Sequence, residues 1–310
     1  MTRTTISAAS RFLRGVAPAA ALLLALVVLV APAAAKDSGF THGLLWRIEA
    51  AGAAPSWLFG TMHSSDPAIA TPPAALRRVL DGAASLTVEV LLDETANMAM
   101  ARATLLPDGR LLGDIAGPER LQRVVETGAR YGIPGAALQR FQPWALQMTF
   151  SLPLAEIRRQ TEGEPFLDKV LQTRAEARGI PVYGLETVDE QIAALAGTSE
   201  EEQLLLLDAA MVLNPEIDAI FEDMKRLYLA QDLAGMYRMA DEMTGGAPRD
   251  LIDAYAERLV LDRNRRMADR MAERLAEGNA LFAVGALHLY GDDGILGLLE
   301  KQGYRVTRVE

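Results

Sequence analysis

Apolar and polar residues alternate near both ends of the chain and recur at helical spacing through its middle. Residues 44–49 (Leu-Leu-Trp-Arg-Ile-Glu) alternate and predict a strand. Gly52 to Pro55 turns the chain, and residues 56–60 predict the second arm of a hairpin. Further strands are predicted at 85–91, 182–186 and 280–285, and residues 304–309 alternate again to close the chain. The intervening pattern is helical. Pro72-Pro73 opens a helix over 74–82, and the helices predicted at 118–131, 143–160 and 165–178 each begin at proline, whose missing N–H costs nothing there. Arg158, Arg159, Arg174 and Arg178 suit the negative ends of the last two. Thr187 with Glu190, and Ser199 with Glu202, form capping boxes, the second opening a helix over 199–213. Helices follow at 215–229, 232–243 and 248–277, with a short one at 295–302. The stripe Met224, Leu227, Met236, Met239 and Met243 is expected to fill a core.

Strands at the two ends can bury their apolar faces only by meeting in one sheet. The expected architecture is α/β (α+β), a mixed central sheet built from N- and C-terminal strands, with a large helical insertion over about 93–178 and 199–249. No Gly/Ser linker divides it, so residues 36–310 are expected to form one domain.

Residues 1–35 stand outside that pattern. Arg3, Arg11 and Arg14 precede an apolar run over 16–30, and Ala33-Ala34-Ala35 supplies small residues for cleavage. This predicts a secretory signal segment cut after Ala35, leaving no stable membrane anchor and a periplasmic or secreted protein. The 310-residue chain has no cysteine, which excludes thiolate chemistry, cysteine-ligated metals and a disulfide scaffold. Its formal charge is −10, and removing the three leader arginines leaves −13, which argues against nucleic acid or an anionic membrane surface as partner.

Candidate chemistry is concentrated in a phrase that occurs twice. Trp57-Leu58-Phe59-Gly60-Thr61-Met62-His63 and Phe282-Ala283-Val284-Gly285-Ala286-Leu287-His288 are each an apolar strand followed by Gly-x-x-His, and they hold two of the chain's three histidines. Glycine permits positive φ and close backbone approach, and ligands bind outside the carboxyl ends of strands in open α/β sheets. Two such strands in one sheet would bring His63 and His288 together. Glu89 lies within an otherwise apolar strand pattern and calls for a partner, either a metal cation or an arginine. Glu186 ends another strand, whereas Glu190 is explained by its capping box. Arg263 and Asn264 fall in a charged run of the last long helix, read either as a solvated face or as an arginine turned toward the acidic mouth. His42 is given no role.

Gly-Thr-Met-His, Val-Glu-Val, Gly-Leu-Glu-Thr followed by Val-Asp-Glu-Gln, Asp-Arg-Asn-Arg-Arg-Met, and Val-Gly-Ala-Leu-His-Leu, in that order, resemble the TraB/PrgY/GumN family, which includes the TIKI metalloproteases. The resemblance spans about 44–309. It implies a fold similar to erythromycin esterase and ChaN-type haem-binding proteins, and a divalent-metal-dependent hydrolase, peptidase-like, needing both histidines. Carried over by position, His63, His288 and Glu89 would be metal ligands for Mn, Co or Zn, with Glu186 as general base or orienting carboxylate. Arg263 and Asn264 match the Arg-Asn of the late helix, where the arginine would stabilise an oxyanion or hold a substrate carboxylate. Leu287 departs from the small residue frequent before the second histidine. The resemblance leaves two other readings open: a metal-independent esterase-like hydrolase, and a non-catalytic protein binding haem or another ligand. Peptide or small-molecule substrates are the expected partners.

Overall fold

The computed structural model describes residues 40–309, so the expected leader lies outside the described part. Six strands form one mixed sheet: β1 (Leu45–Glu49), β2 (Ser56–Thr61), β3 (Ser85–Val88), β4 (Val182–Gly184), β5 (Ala280–Gly285) and β6 (Arg305–Arg308). Their spatial order is β4-β3-β5-β2-β1-β6. The predicted hairpin is present, with Leu45 opposite Phe59, and β6 pairs antiparallel with β1 on its other side. The remaining pairs, β2 with β5, β5 with β3, and β3 with β4, are parallel. Strands from the two ends of the chain therefore interleave, as their shared need for burial requires. The parallel set β4-β3-β5-β2 also brings four strand exits to one edge of the sheet.

Side chains fill both faces around β5, whose residues from Ala280 to Val284 are fully buried. That core includes Leu167, Leu171 and Ala175 from the helix Leu167–Ala177 on β3 and β4, and Met267, Met271 and Leu275 from the helix Asp262–Glu277. Phe221, Met224, Tyr228, Met236 and Tyr237 join it from Ile217–Leu229 and Leu233–Glu242, so the methionine stripe fills the sheet core. Two further cores lie wholly among helices. One joins Met100, Trp144, Leu195, Leu206, Ile252 and Tyr255; the other joins Leu112, Val124, Leu138, Phe150 and Leu207. Burial thus divides the helices differently from the expected bounds. Leu167–Ala177 and the segment from Ile217 to Glu242 belong with the sheet, whereas Val188–Ala196 and Arg249–Ala256 belong with the helical insertion.

Several element ends differ from the sequence reading. The strand from Ser85 stops at Val88, leaving Glu89 at its exit. The helix predicted over 143–160 is two helices, Pro143–Phe150 and Leu154–Thr161, interrupted before Pro153, which cannot donate within a helix. Upstream, Leu112–Arg130 starts earlier than Pro118 and kinks at Gly117, whose φ is 73°. Both capping boxes form, with Thr187 accepting from the Glu190 amide and Ser199 from that of Glu202. Among the described residues no helix is long and apolar enough to cross a membrane.

The edge strand β4 is only three residues long and is secured by side chains of Asp262–Glu277. Arg266 binds Glu186, Arg270 binds the Leu185 carbonyl and Glu190, and Arg274 lies over the Tyr183 ring, 4.6 Å from its centre.

Phe282→Ala should lower stability by about 3–5 kcal/mol in denaturant unfolding, because the fully buried ring leaves a cavity in the central strand. Met98→Ala, at a residue 67% exposed, should stay within about 0.5 kcal/mol of the parent. Gly278→Ala should cost more than about 1 kcal/mol. Its φ is +77°, and an added Cβ would stand 2.8 Å from both the backbone N and O of Ala54.

Candidate functional site

The four parallel exits carry His63 after β2, Glu89 after β3, Glu186 after β4 and His288 after β5. Thr61 is paired with Gly285, so the second Gly-x-x-His phrase is displaced by one residue toward the edge relative to the first. The first phrase stays extended through Thr61, while the second turns at once into a 3-10 turn, Ala286–His288. Neither glycine adopts a positive φ. Each serves close approach instead. A Cβ on Gly60 would meet Leu289 Cδ1 at 2.7 Å, and one on Gly285 would meet Glu89 Oε1 at 3.3 Å, His288 Cδ2 at 3.4 Å and His63 Nε2 at 3.7 Å. The absence of a side chain at Gly285 makes the space into which the three groups converge.

Glu89 is the centre of the cluster. Its Oε1 lies 3.9 Å from His63 Nε2 and 3.8 Å from His288 Nε2, and accepts from the Gly285 amide at 2.6 Å. Its Oε2 accepts from Arg263 Nη2 at 2.5 Å. Burial raises the Glu89 pKa, but Arg263, His288, His63 and the Gly285 amide outweigh it and hold the carboxyl down to about 2. The same guanidinium donates through Nε to Glu186 Oε2 at 2.9 Å and through Nη1 to the Leu259 carbonyl at 3.2 Å. Burial opposes the charge of Arg263, yet Glu89 and Glu186 raise its pKa. Arg266 takes the other oxygen of Glu186 at 2.9 Å.

Arg263 and Asn264 reach this cluster because Glu257–Leu261, just before them, is a π-helical turn joining Arg249–Ala256 to Asp262–Glu277. Such turns insert a residue into the helical register. The charged run is thus a mixed surface: Arg263 and Asn264 are buried, while Arg265 is exposed with Glu257 and Asp262.

Each imidazole is held from behind. His288 Nδ1 lies 2.6 Å from Asn264 Oδ1, and Asn264 Nδ2 donates to the Asp293 carbonyl at 2.9 Å, which fixes the amide orientation. His63 Nδ1 lies 2.7 Å from Asp168 Oδ2, and Thr61 Oγ1 donates to Asp168 Oδ1 at 2.8 Å. Phe166 packs edge-on to the His63 ring. Beyond His63 the loop is anchored by Glu156, which accepts from Ser64 Oγ at 3.1 Å and from the Ser65 amide at 2.9 Å. The two rings differ electrostatically. Burial lowers the pKa of both, but Asp168 and Glu89 together raise that of His63, whereas His288 falls to about 3 with Arg263 and His63 adding to its burial.

All six residues singled out in the sequence, His63, Glu89, Glu186, Arg263, Asn264 and His288, meet in this cluster. Asp168 and Glu156 were not foreseen. Asp168 has a plain helical explanation in its sequence, an acid in a first turn, and Glu156 precedes an arginine pair that reads as solvated surface. Leu287 points to the sheet core and away from solvent in part, packing against buried apolar residues.

With both Nδ1 atoms facing hydrogen-bond acceptors behind the rings, both Nε2 atoms are turned toward one carboxylate oxygen. That donor chemistry fits a cation. As placed, however, no group of three or more His, Asp or Glu among the described residues could hold a metal ion. Donors sharing a tetrahedral ion at about 2.1 Å stand about 3.4 Å apart. The two Nε2–Oε1 gaps would have to close by roughly 0.5 Å to share one.

The model of the TraB/PrgY/gumN family matches residues 44–308. Metalloprotease TIKI2 of Danio rerio is 25% identical over 306 residues, covering 81% of this chain and 58% of its own length. Metalloprotease TIKI1 of Danio rerio is 24% identical, covering 86% and 63%, and Metalloprotease TIKI1 of Homo sapiens is 24% identical, covering 86% and 61%. The chain spans about three-fifths of the length of these relatives. No solved structure matches it. The family match takes in every strand of the sheet and every residue of the cluster, and the chain belongs to the TraB/PrgY/gumN family.

Proposed function

We propose that the chain is a divalent-metal-dependent hydrolase, peptidase-like in its chemistry, working in the bacterial envelope after loss of its leader. The observation that carries this reading is the convergence of two Nε2 atoms and one carboxylate oxygen on the space above Gly285. Relatives named metalloproteases support the same reaction class. His63, His288 and Glu89 would hold the ion, with manganese, cobalt and zinc all compatible with nitrogen and oxygen donors. When bound, such an ion supplies Lewis acidity toward a carbonyl and activation of water near neutral pH.

The chain's own residues prepare those donors. Arg263 is the largest of the influences that hold the Glu89 carboxyl well below the usual carboxylate range. Asp168 and Asn264 hold the outer nitrogens, so that both rings turn Nε2 inward. Glu186, with a guanidinium on each oxygen, acts here as the carboxylate that orients Arg263 and Arg266. Arg266 is the more exposed of the two and the better placed to meet a substrate carboxylate or a developing oxyanion. The His63–Asp168 pair favours a second reading, a metal-independent ester hydrolase in which a carboxylate-backed imidazole carries protons.

Elemental analysis of the purified protein after reconstitution with manganese, cobalt or zinc should find close to one ion per chain. A His63→Ala/His288→Ala variant should find none while melting cooperatively. Peptide hydrolysis should vanish on chelation and return with the ion; hydrolysis of an ester that survives chelation would instead establish the second reading. Arg263→Ala should lower unfolding stability by about 3–5 kcal/mol, because it leaves buried Glu89 without its guanidinium partner and Glu186 with Arg266 alone.

A further inference from the structure

The two Gly-x-x-His phrases differ at the residue after glycine, Thr61 in the first and Ala286 in the second. That difference has a structural counterpart behind each ring. Thr61 donates to Asp168, which in turn accepts from His63, whereas Ala286 has no side-chain donor and His288 is backed by the neutral amide of Asn264. Asp168 comes from a helix 105 residues further along the chain and is 4% exposed. A buried carboxylate ordinarily takes an arginine or lysine as partner. Among the described residues none pairs with Asp168; its partners there are the His63 ring and the Thr61 hydroxyl.

We propose that Asp168 is the positioning residue of His63: it fixes the ring as the Nδ1–H tautomer with Nε2 facing Glu89, and places behind it a negative charge that His288 lacks. Thr61 holds the second oxygen and so sets the plane of the carboxylate. The arrangement makes the repeated histidines unequal, His63 being the stronger donor toward a cation. This rests on the reading of His63 as a working residue of the site, but its test does not depend on metal or turnover.

The chain has three histidines, so ¹⁵N-histidine NMR of the chelator-treated protein at alkaline pH resolves each ring. Wild-type His63 should carry its proton on Nδ1. Asp168→Asn, which keeps an acceptor oxygen, should preserve that tautomer, and Asp168→Ala should move the proton to Nε2 while the His288 signals stay in place. An Nε2–H tautomer in the wild-type protein, or an unchanged tautomer in Asp168→Ala, overturns the proposal; the wild-type spectrum decides even where the alanine variant does not fold. Mn²⁺ titration adds the charge arm: Asp168→Asn should bind about tenfold more weakly than wild type at an unchanged melting temperature. Equal affinity would overturn the role of the charge. Absence of Mn²⁺ binding by wild type would count against the metal reading alone, leaving the tautomer to decide for Asp168.

Discussion

One buried guanidinium organises this protein. Arg263 stands between Glu89 and Glu186 and pairs with both carboxylates, at 2.5 and 2.8 Å, where two different strands exit. Without it Glu89 would lose the guanidinium that offsets its burial, and Glu186 would be left with Arg266 alone. The arginine is held in turn by the Leu259 carbonyl and by the π-helical turn that precedes it. Backbone register in one helix is thereby coupled to ionisation at the mouth of a sheet.

The sheet supplies the other half of the design. Its four parallel strands end at one edge and deliver a functional side chain from each exit, as open α/β sheets do. The side chains that hold those groups come from elsewhere. Asp168 and Glu156 fasten His63 and the loop beyond it from the helices Leu167–Ala177 and Leu154–Thr161, and Asn264 fastens His288 from the last long helix. The site is therefore shared between the sheet and its helical cover.

Much of this was legible in the sequence. Strands that end in Gly-x-x-His, and a glutamate in an apolar run, are conspicuous because their patterns conflict with simple burial. The helices were legible from their prolines and capping boxes. What the sequence hid were contacts that leave no local conflict. Asp168 looks satisfied in a helical first turn, and nothing nearby shows that its carboxylate faces a ring 105 residues away. Glycine was correctly singled out at positions 60 and 285, but for the wrong freedom: crowding by Leu289 and Glu89, not positive φ, excludes a side chain there. The assignment of helices to the insertion also needed three dimensions, because an amphipathic stripe does not say which core it faces.

The π-helical turn at Glu257–Leu261 has a consequence for how such a chain can vary in length. A residue advances an α-helix by about 100°. The π turn already absorbs one extra residue, so deleting one there would restore regular winding with Asp262–Glu277 near its present phase relative to Tyr255 and Ile252, which are locked in the helical core. Deleting one residue from regular winding within Asp262–Glu277, with no such turn to absorb it, would instead rotate everything beyond it by that angle. A length change at the turn is a local event, whereas the same change in regular winding is a screw motion. The π turn is thus the place where the spacing between Tyr255 and Arg263 can shorten with the least change of phase.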